Sequence, residues 1–170
     1  MQIRHKNREI YFREQAECTQ KYVIPYIEQV LCIKSNLRVL EIGCGEGGNL
    51  KPFLDVGCHC VGIDIDVAQL EKAKAFFANH SLNKNLRLIA NDIYKVSPNE
   101  IGNFDLIILR DVIEHLPNQE LFMHQLKCFM HSESVVFFGF PVWCNPFGGH
   151  QQICRNKWLS HTPWLPLLPN

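Results

Sequence analysis

The stretch Val39-Leu40-Glu41-Ile42-Gly43-Cys44-Gly45-Glu46-Gly47-Gly48 decides the reading of this chain. A short apolar run ends in a cluster of glycines, which let the backbone turn tightly and come close to a ligand with no side chain in the way. Downstream the same alternation of strand and helix repeats. A helix through Leu50 and Leu54 follows the turn, and Gly57 is placed to close it. Val61-Gly62-Ile63-Asp64 is the next strand, and Asp66 with Gln69 makes a capping pair for a helix running to about Asn79. Leu86 to Ala90 reads as a third strand, followed by a short connection around Ser97 to Ile101. Phe104 to Leu109 reads as a fourth strand and Ser134 to Phe140 as a fifth. Between these two, a helix from about Asn118 to Met130 carries Leu121, Phe122, Leu126 and Phe129 on one face. Five nearly all-apolar strands alternating with helices predict an α/β fold, a doubly wound, Rossmann-like and mostly parallel sheet.

Upstream of that unit, Phe12, Ala16, Thr19, Val23, Ile27 and Val30 recur at spacings of three and four, the mark of one buried helical face. Pro25 predicts a kink or break there. The chain therefore divides into a helical cap over 1–36, a ligand-binding α/β domain over 37–140 and a terminal segment over 141–170.

Composition narrows the function. With 170 residues there is material for one core, and 17 basic residues against 17 acidic ones give no run that would track a nucleic-acid backbone. No signal peptide or membrane-spanning run is visible, so no membrane partner is expected. The eight cysteines are scattered without a Cys-x-x-Cys pair; the closest two, in Cys58-His59-Cys60, lack companions for a zinc set. They read as buried structural thiols in a reducing cytoplasm, with no metal site.

In such sheets ligands bind at the carboxyl ends of the strands, where the strand order reverses. Gly43, Gly45 and Gly48 satisfy the dinucleotide pattern G-x-G-x-x-G, so an NAD-dependent oxidoreductase is one reading. Charge argues against it. Glu41 and Glu46 would repel a pyrophosphate, whereas S-adenosylmethionine brings a cationic ammonium and sulfonium that suit a carboxylate. Asp64 can accept both ribose hydroxyls of either cofactor. At the third strand's end, Asn91-Asp92-Ile93 sets an acceptor for an adenine amino group beside an aliphatic side chain.

Four segments in order carry a resemblance to a known family. Val39 to Gly47 resembles the first motif of class I S-adenosylmethionine-dependent methyltransferases, with its acidic residue two before the first glycine. Val61-Gly62-Ile63-Asp64-Ile65 is similar to their second-strand motif and Asn91-Asp92-Ile93 to the adenine motif. Phe104 to Leu116, ending Arg110-Asp111-Val112-Ile113-Glu114-His115-Leu116, resembles the fourth-strand motif of the small-molecule branch, which includes the quinone-biosynthesis O-methyltransferases. The likeness runs from about Leu37 to Phe140. It implies S-adenosylmethionine as cofactor and a small-molecule methyl acceptor, methylated on oxygen or nitrogen by in-line displacement. It also implies that Gly43, Cys44 and Gly45 line the methionine part, Glu41 the ammonium and Asp64, with Ile65 beside it, the ribose. Asn91, Asp92 and Ile93 would meet the adenine, and Arg110 would pass the sulfonium with its backbone. Tyr11, Gln15, Thr19 and Tyr22 are further candidates from the helix that often folds over the cofactor in that family.

For a base, His150 is the first choice, in the glycine-bearing loop after the fifth strand where an acceptor should enter. His115 reads as ordering a turn, and Asp111 and Glu114 as capping residues. The family fold normally adds two further strands after the fifth. The thirty residues beyond Phe140 are too short and proline-rich for both, which leads us to expect a C-terminally truncated form and an exposed fifth-strand edge. A homodimer is expected to cover that edge, and a fragment that binds cofactor without turnover is the remaining alternative.

Overall fold

The computed structural model describes residues 7–141 together with residues 156 and 158. At its centre lies β1 (Arg38–Ile42), flanked by β2 (His59–Asp64) and β4 (Phe104–Arg110), with β3 (Leu86–Ala90) and β5 (Met130–Gly139) outermost. The order is β3-β2-β1-β4-β5 and every pairing is parallel. The chain thus winds outward from β1 in one direction and then in the other, as the alternating pattern predicts. Strand β5 begins four residues earlier than Ser134, because Met130 pairs with Phe104 ahead of a register shift.

Alternation along β1 assigns its side chains to two cores. Val39 packs with Phe53, Leu54, Leu70 and Phe77 on one face, and Leu40 and Ile42 with Phe104, Phe122 and Phe129 on the other. Helices α3 (Lys51–Val56) and α4 (Val67–Phe77) cover the first face, and α5 (Pro98–Ile101) and α6 (Gln119–Lys127) the second. Each fully buried Phe or Leu contributes roughly 1.5–3 kcal/mol. Glu41 shares the face of Val39 by the period of two. That places a carboxyl inside the first core, with 1% of its surface exposed.

The predicted caps form. Asp66 accepts N–H bonds from Ala68 and Gln69 at the start of α4, and Gly57 closes α3 in the left-handed conformation at φ +98°. Cys44, Cys58 and Cys60 are buried in one cluster as free thiols. The described residues contain no group that could hold a metal ion.

Several expectations need correction. The N-terminal helix does not break at Pro25 but accommodates it through a widened turn just before it. Helix α1 (Arg8–Cys18) runs into a π-helical turn, Thr19–Val23, and then into α2 (Ile24–Ile27). The Ile24 N–H reaches back to Thr19 O, and the widened turn relieves the clash that a proline ring makes with the carbonyl four residues before it. Phe12, Ala16, Thr19, Val23 and Ile27 are buried, but Val30 lies past the helices and is 73% exposed. In α6, Phe122 and Leu126 are buried, with Phe129 just beyond, while Leu121 is exposed. Asn118 caps that helix, accepting from Leu121 N–H, and neither Asp111 nor Glu114 is a cap.

Candidate functional site

At the sheet's centre the chain leaves β1 towards β2 and leaves β4 towards β5, so a crevice opens between their carboxyl ends. The glycine turn fills one side. Its backbone is tied to β2 from both ends: Gly43 and Cys44 donate to Ile63 O at 2.8 and 3.1 Å, and Gly45 donates to Asp64 Oδ2 at 2.7 Å. The other Asp64 oxygen accepts the Asp66 N–H at 2.8 Å. One carboxylate therefore holds two turns together and still has free lone pairs for a ligand hydroxyl.

The glycines make room first for protein. A Cβ on Gly43, whose φ is +71°, would stand 2.3 Å from a Val112 methyl, so the turns after β1 and β4 close on each other only because that side chain is absent. A Cβ on Gly48 would stand 2.8 Å from Phe12 O, which lets α1 lie directly on the turn.

A buried polar line runs beneath α1. Asn49 Nδ2 donates to Glu41 Oε1 at 2.7 Å, while Asn49 Oδ1 accepts from Thr19 Oγ1 at 2.9 Å and from Arg110 Nη1 at 3.0 Å. Glu41 Oε2 is buried without a partner. Burial pushes the Glu41 carboxyl up to about 8, against the Asn49 hydrogen bond and the nearby Arg110 charge, with Asp64 adding to the rise. Asn49 had escaped the sequence reading. Its only signal there was a polar residue next to the last glycine of the turn, at a helix start.

Glu46 corrects the charge argument. It is 2% exposed and its Oε1 is paired with Arg8 Nε at 2.7 Å and Lys72 Nζ at 3.5 Å. With Glu46 neutralised by two cations and Glu41 held largely protonated near neutrality, the repulsion of a pyrophosphate is weaker than the bare sequence implies.

The other predicted residues fall at the same end of the sheet. Cys44 is buried beneath the turn, and Ile65 is 76% exposed beside Asp64. Asn91 Oδ1 accepts the Asp92 N–H at 2.9 Å, and Asp92 Oδ1 accepts the Tyr94 N–H at 3.1 Å. Ile93 is 4% exposed and belongs to the second core. Beyond β4, Asp111 adopts φ +56°, and its N–H bonds to Gly139 O at 2.7 Å. Partial desolvation raises its pKa, with Arg110 opposing and Glu114 adding. His115 sits in a 3-10 turn, Ile113–His115, its Nε2 3.9 Å from Glu114 Oε1. His150 lies outside the described residues.

Between α1 and the end of β4 is a cleft of about 460 Å³, lined by Tyr11, Gln15, Cys18, Tyr22, Arg110 and Asp111 among others. Thus α1 brings Tyr11 and Gln15, and the π-helical turn brings Tyr22, to this cleft, while Thr19 is buried. A second cleft lies between α1, α3 and α4, lined by Phe12, Pro52 and Phe76 among others, and none of the predicted cofactor residues lines it.

The profile of the methyltransferase domain family matches residues 12–161. The chain belongs to that family. This membership, more than the charges on the glycine turn, decides between the two readings of G-x-G-x-x-G. Among methyltransferases, the ubiquinone biosynthesis O-methyltransferase of Bartonella tribocorum is 26% identical over 159 residues, covering 84% of this chain and 60% of that protein. The enzyme of the same name from Brucella melitensis biotype 2 is 26% identical over 125 residues, covering 67% of this chain and 49% of its own length. The chain thus spans about half to three-fifths of the curated relatives it matches. Two solved structures share the fold at TM-score 0.64. Coclaurine N-methyltransferase, bound to N-methylheliamine and SAH, is 20% identical over 79% of this chain and 39% of its own. PKMT2 from Rickettsia typhi, in complex with AdoHcy, is 22% identical over 75% of this chain and 26% of its own.

Proposed function

We propose that this chain binds S-adenosylmethionine and transfers its methyl group to oxygen or nitrogen of a small-molecule acceptor. The observation that carries this reading is that four segments, remote in sequence, end together at the carboxyl edge of one parallel sheet, where Asp64 holds the Gly45 N–H and the buried Glu41 Oε2 has no partner. The residues fit the cofactor. Asp64 would hold the ribose, and Gly43, Cys44 and Gly45 would line the methionine arm. Asp92 would accept from the adenine amino group. Exposed Ile65 offers the base more apolar surface than the buried Ile93. The relatives named for O- and N-methylation support a small acceptor.

When bound, the cofactor supplies an activated methyl carbon. The protein's own work is to orient the acceptor behind it and exclude water. Helix α1 and the turn after β4 form the walls for that task. Asp111, with its raised pKa, can take a proton from an acceptor on the described side of the cleft. His150, which follows β5 in the sequence, remains our candidate base.

Calorimetric titration with S-adenosylhomocysteine, with NAD in parallel, tests the reading. Micromolar binding of the first and none of the second is expected, and binding of NAD alone would refute it. Turnover compared with that of a version extended at its C-terminus separates an enzyme from a binding-only fragment.

Two further features belong to this proposal. Among the described residues no helix is long and apolar enough to cross a membrane, and the six cysteines in that region are free thiols, in keeping with a cytoplasmic protein. Strand β5 pairs with β4 on one side and has no other neighbour among the described residues, with Val135 to Phe138 half-buried. A homodimer formed through this edge is expected in sedimentation analysis at micromolar concentration. A sharp monomer boundary there would rule it out.

A further inference from the structure

Arg110 ends β4, and its guanidinium crosses to the place where α1 meets the start of α3. Nη1 donates to Asn49 Oδ1 at 3.0 Å and to Thr19 Oγ1 at 3.4 Å, and Nη2 donates to Cys18 Sγ at 3.2 Å. None of the three acceptors is a carboxylate. The ion pairs formed by the described residues leave Arg110 out. A partly buried guanidinium without a carboxylate is an incomplete arrangement, because desolvating a cation is costly and a forked pairing with a carboxylate recovers much of that cost.

The surroundings say which carboxylate fits. Asn49, 5% exposed, accepts from Arg110 with its oxygen and donates to Glu41 with its nitrogen. One amide thus separates a cation from a carboxyl group whose Oε2 is unsatisfied. The ammonium and carboxylate of an α-amino acid are separated by a single carbon, a spacing of the same order as one amide group. Arg110 and Cys18 both line the cleft between α1 and the end of β4, so the guanidinium can be reached by an anion from that side.

We propose that the Arg110 side chain binds the α-carboxylate of the cofactor's amino-acid end, and that Glu41, Asn49 and Arg110 together read its zwitterion. The inference rests on the S-adenosylmethionine reading above and adds to it a residue and the group it recognises. It also explains why the sheet's central crevice has a charged side chain at a position where a backbone contact alone would suffice.

Calorimetry on the whole chain with three ligands tests it: S-adenosylhomocysteine, its decarboxylated analogue S-adenosyl-3-thiopropylamine, and 5′-methylthioadenosine, which lacks the amino-acid end. In the wild type, S-adenosylhomocysteine should bind roughly 30-fold or more tightly than the decarboxylated analogue, the size expected for a charge-assisted hydrogen-bonded pair. Arg110→Met should remove most of that difference and leave 5′-methylthioadenosine within about threefold of its wild-type affinity, and Arg110→Lys should restore part of it. Equal wild-type affinities for the first two ligands would overturn the assignment without any variant. Equal losses for all three ligands in Arg110→Met would reduce Arg110 to a brace for α1. A folded wild-type chain that binds neither S-adenosylhomocysteine nor 5′-methylthioadenosine would overturn the cofactor reading itself, and this assignment with it.

Discussion

Asp64→Ala is expected to weaken S-adenosylhomocysteine binding by about 100-fold or more. The carboxylate accepts the Gly45 N–H at 2.7 Å and the Asp66 N–H at 2.8 Å, so its loss frees both the glycine turn and the turn into α4. Hydrogen bonds to a charged group contribute roughly 1.5–3 kcal/mol each, and two ribose hydroxyls would add to the loss on the ligand's side. Asp64→Asn keeps an acceptor but not the charge, and should fall between the two proteins. Titration calorimetry gives the affinities and a thermal melt reports how much of the change is loosened structure. An Asp64→Ala protein that binds within threefold of wild type would mean the site lies elsewhere.

The second large effect is on stability against pH. Glu41 titrates at about 8 in the fold, chiefly because of burial, against an ordinary value of 4.5. Its folded-state pKa is raised, so below the ordinary value both states are protonated and nothing is lost. As pH rises towards 8 the unfolded chain gives up this proton and the folded chain keeps it. Stability therefore falls across that window, by about 1.4 kcal/mol per pH unit from this group, and levels off above it. Glu41→Gln removes the titration. The amide can still accept from Asn49, but it places an NH2 group where Oε2 finds no partner, a cost independent of pH. The variant should be less stable than wild type at pH 5 and more stable at pH 8, the difference between them changing by on the order of 3–5 kcal/mol. Melting curves from pH 5 to 9 would show two lines that cross. Parallel lines would mean Glu41 is ionised throughout. The same variant should bind S-adenosylhomocysteine more weakly, since a bound ammonium favours release of the Glu41 proton and pairing with the resulting carboxylate, which an amide cannot supply.

Much of this molecule was legible in one dimension. The strands 61–64, 86–90 and 104–109, the Asp66 cap, the Gly57 stop and the glycine turn were all readable, because short apolar runs, capping residues and left-handed glycines act through neighbours in sequence. The doubly wound parallel sheet, with its ligand end at the strands' carboxyl termini, followed from alternation, while the order β3-β2-β1-β4-β5 came from the structure. The exposure of Val30 and Leu121 was not readable, since periodicity marks a face but not where its covering partner ends.

The chemistry of the site divides along the same line. The sequence by itself determined which residues stand at the strand ends: Glu41, Asp64, Asp92 and Arg110. Only the tertiary structure decided what state they are in. Glu46 is neutralised by Arg8, 38 residues away, and by Lys72. Glu41 is held protonated because the pleat of β1 turns it under α1 and α3. Arg110 meets Cys18, 92 residues before it, and Asn49, 61 residues before it. Spacing along a chain sets local hydrogen bonds, but desolvation and charge pairing depend on which distant segments close over a group, and that is a property of the packed fold.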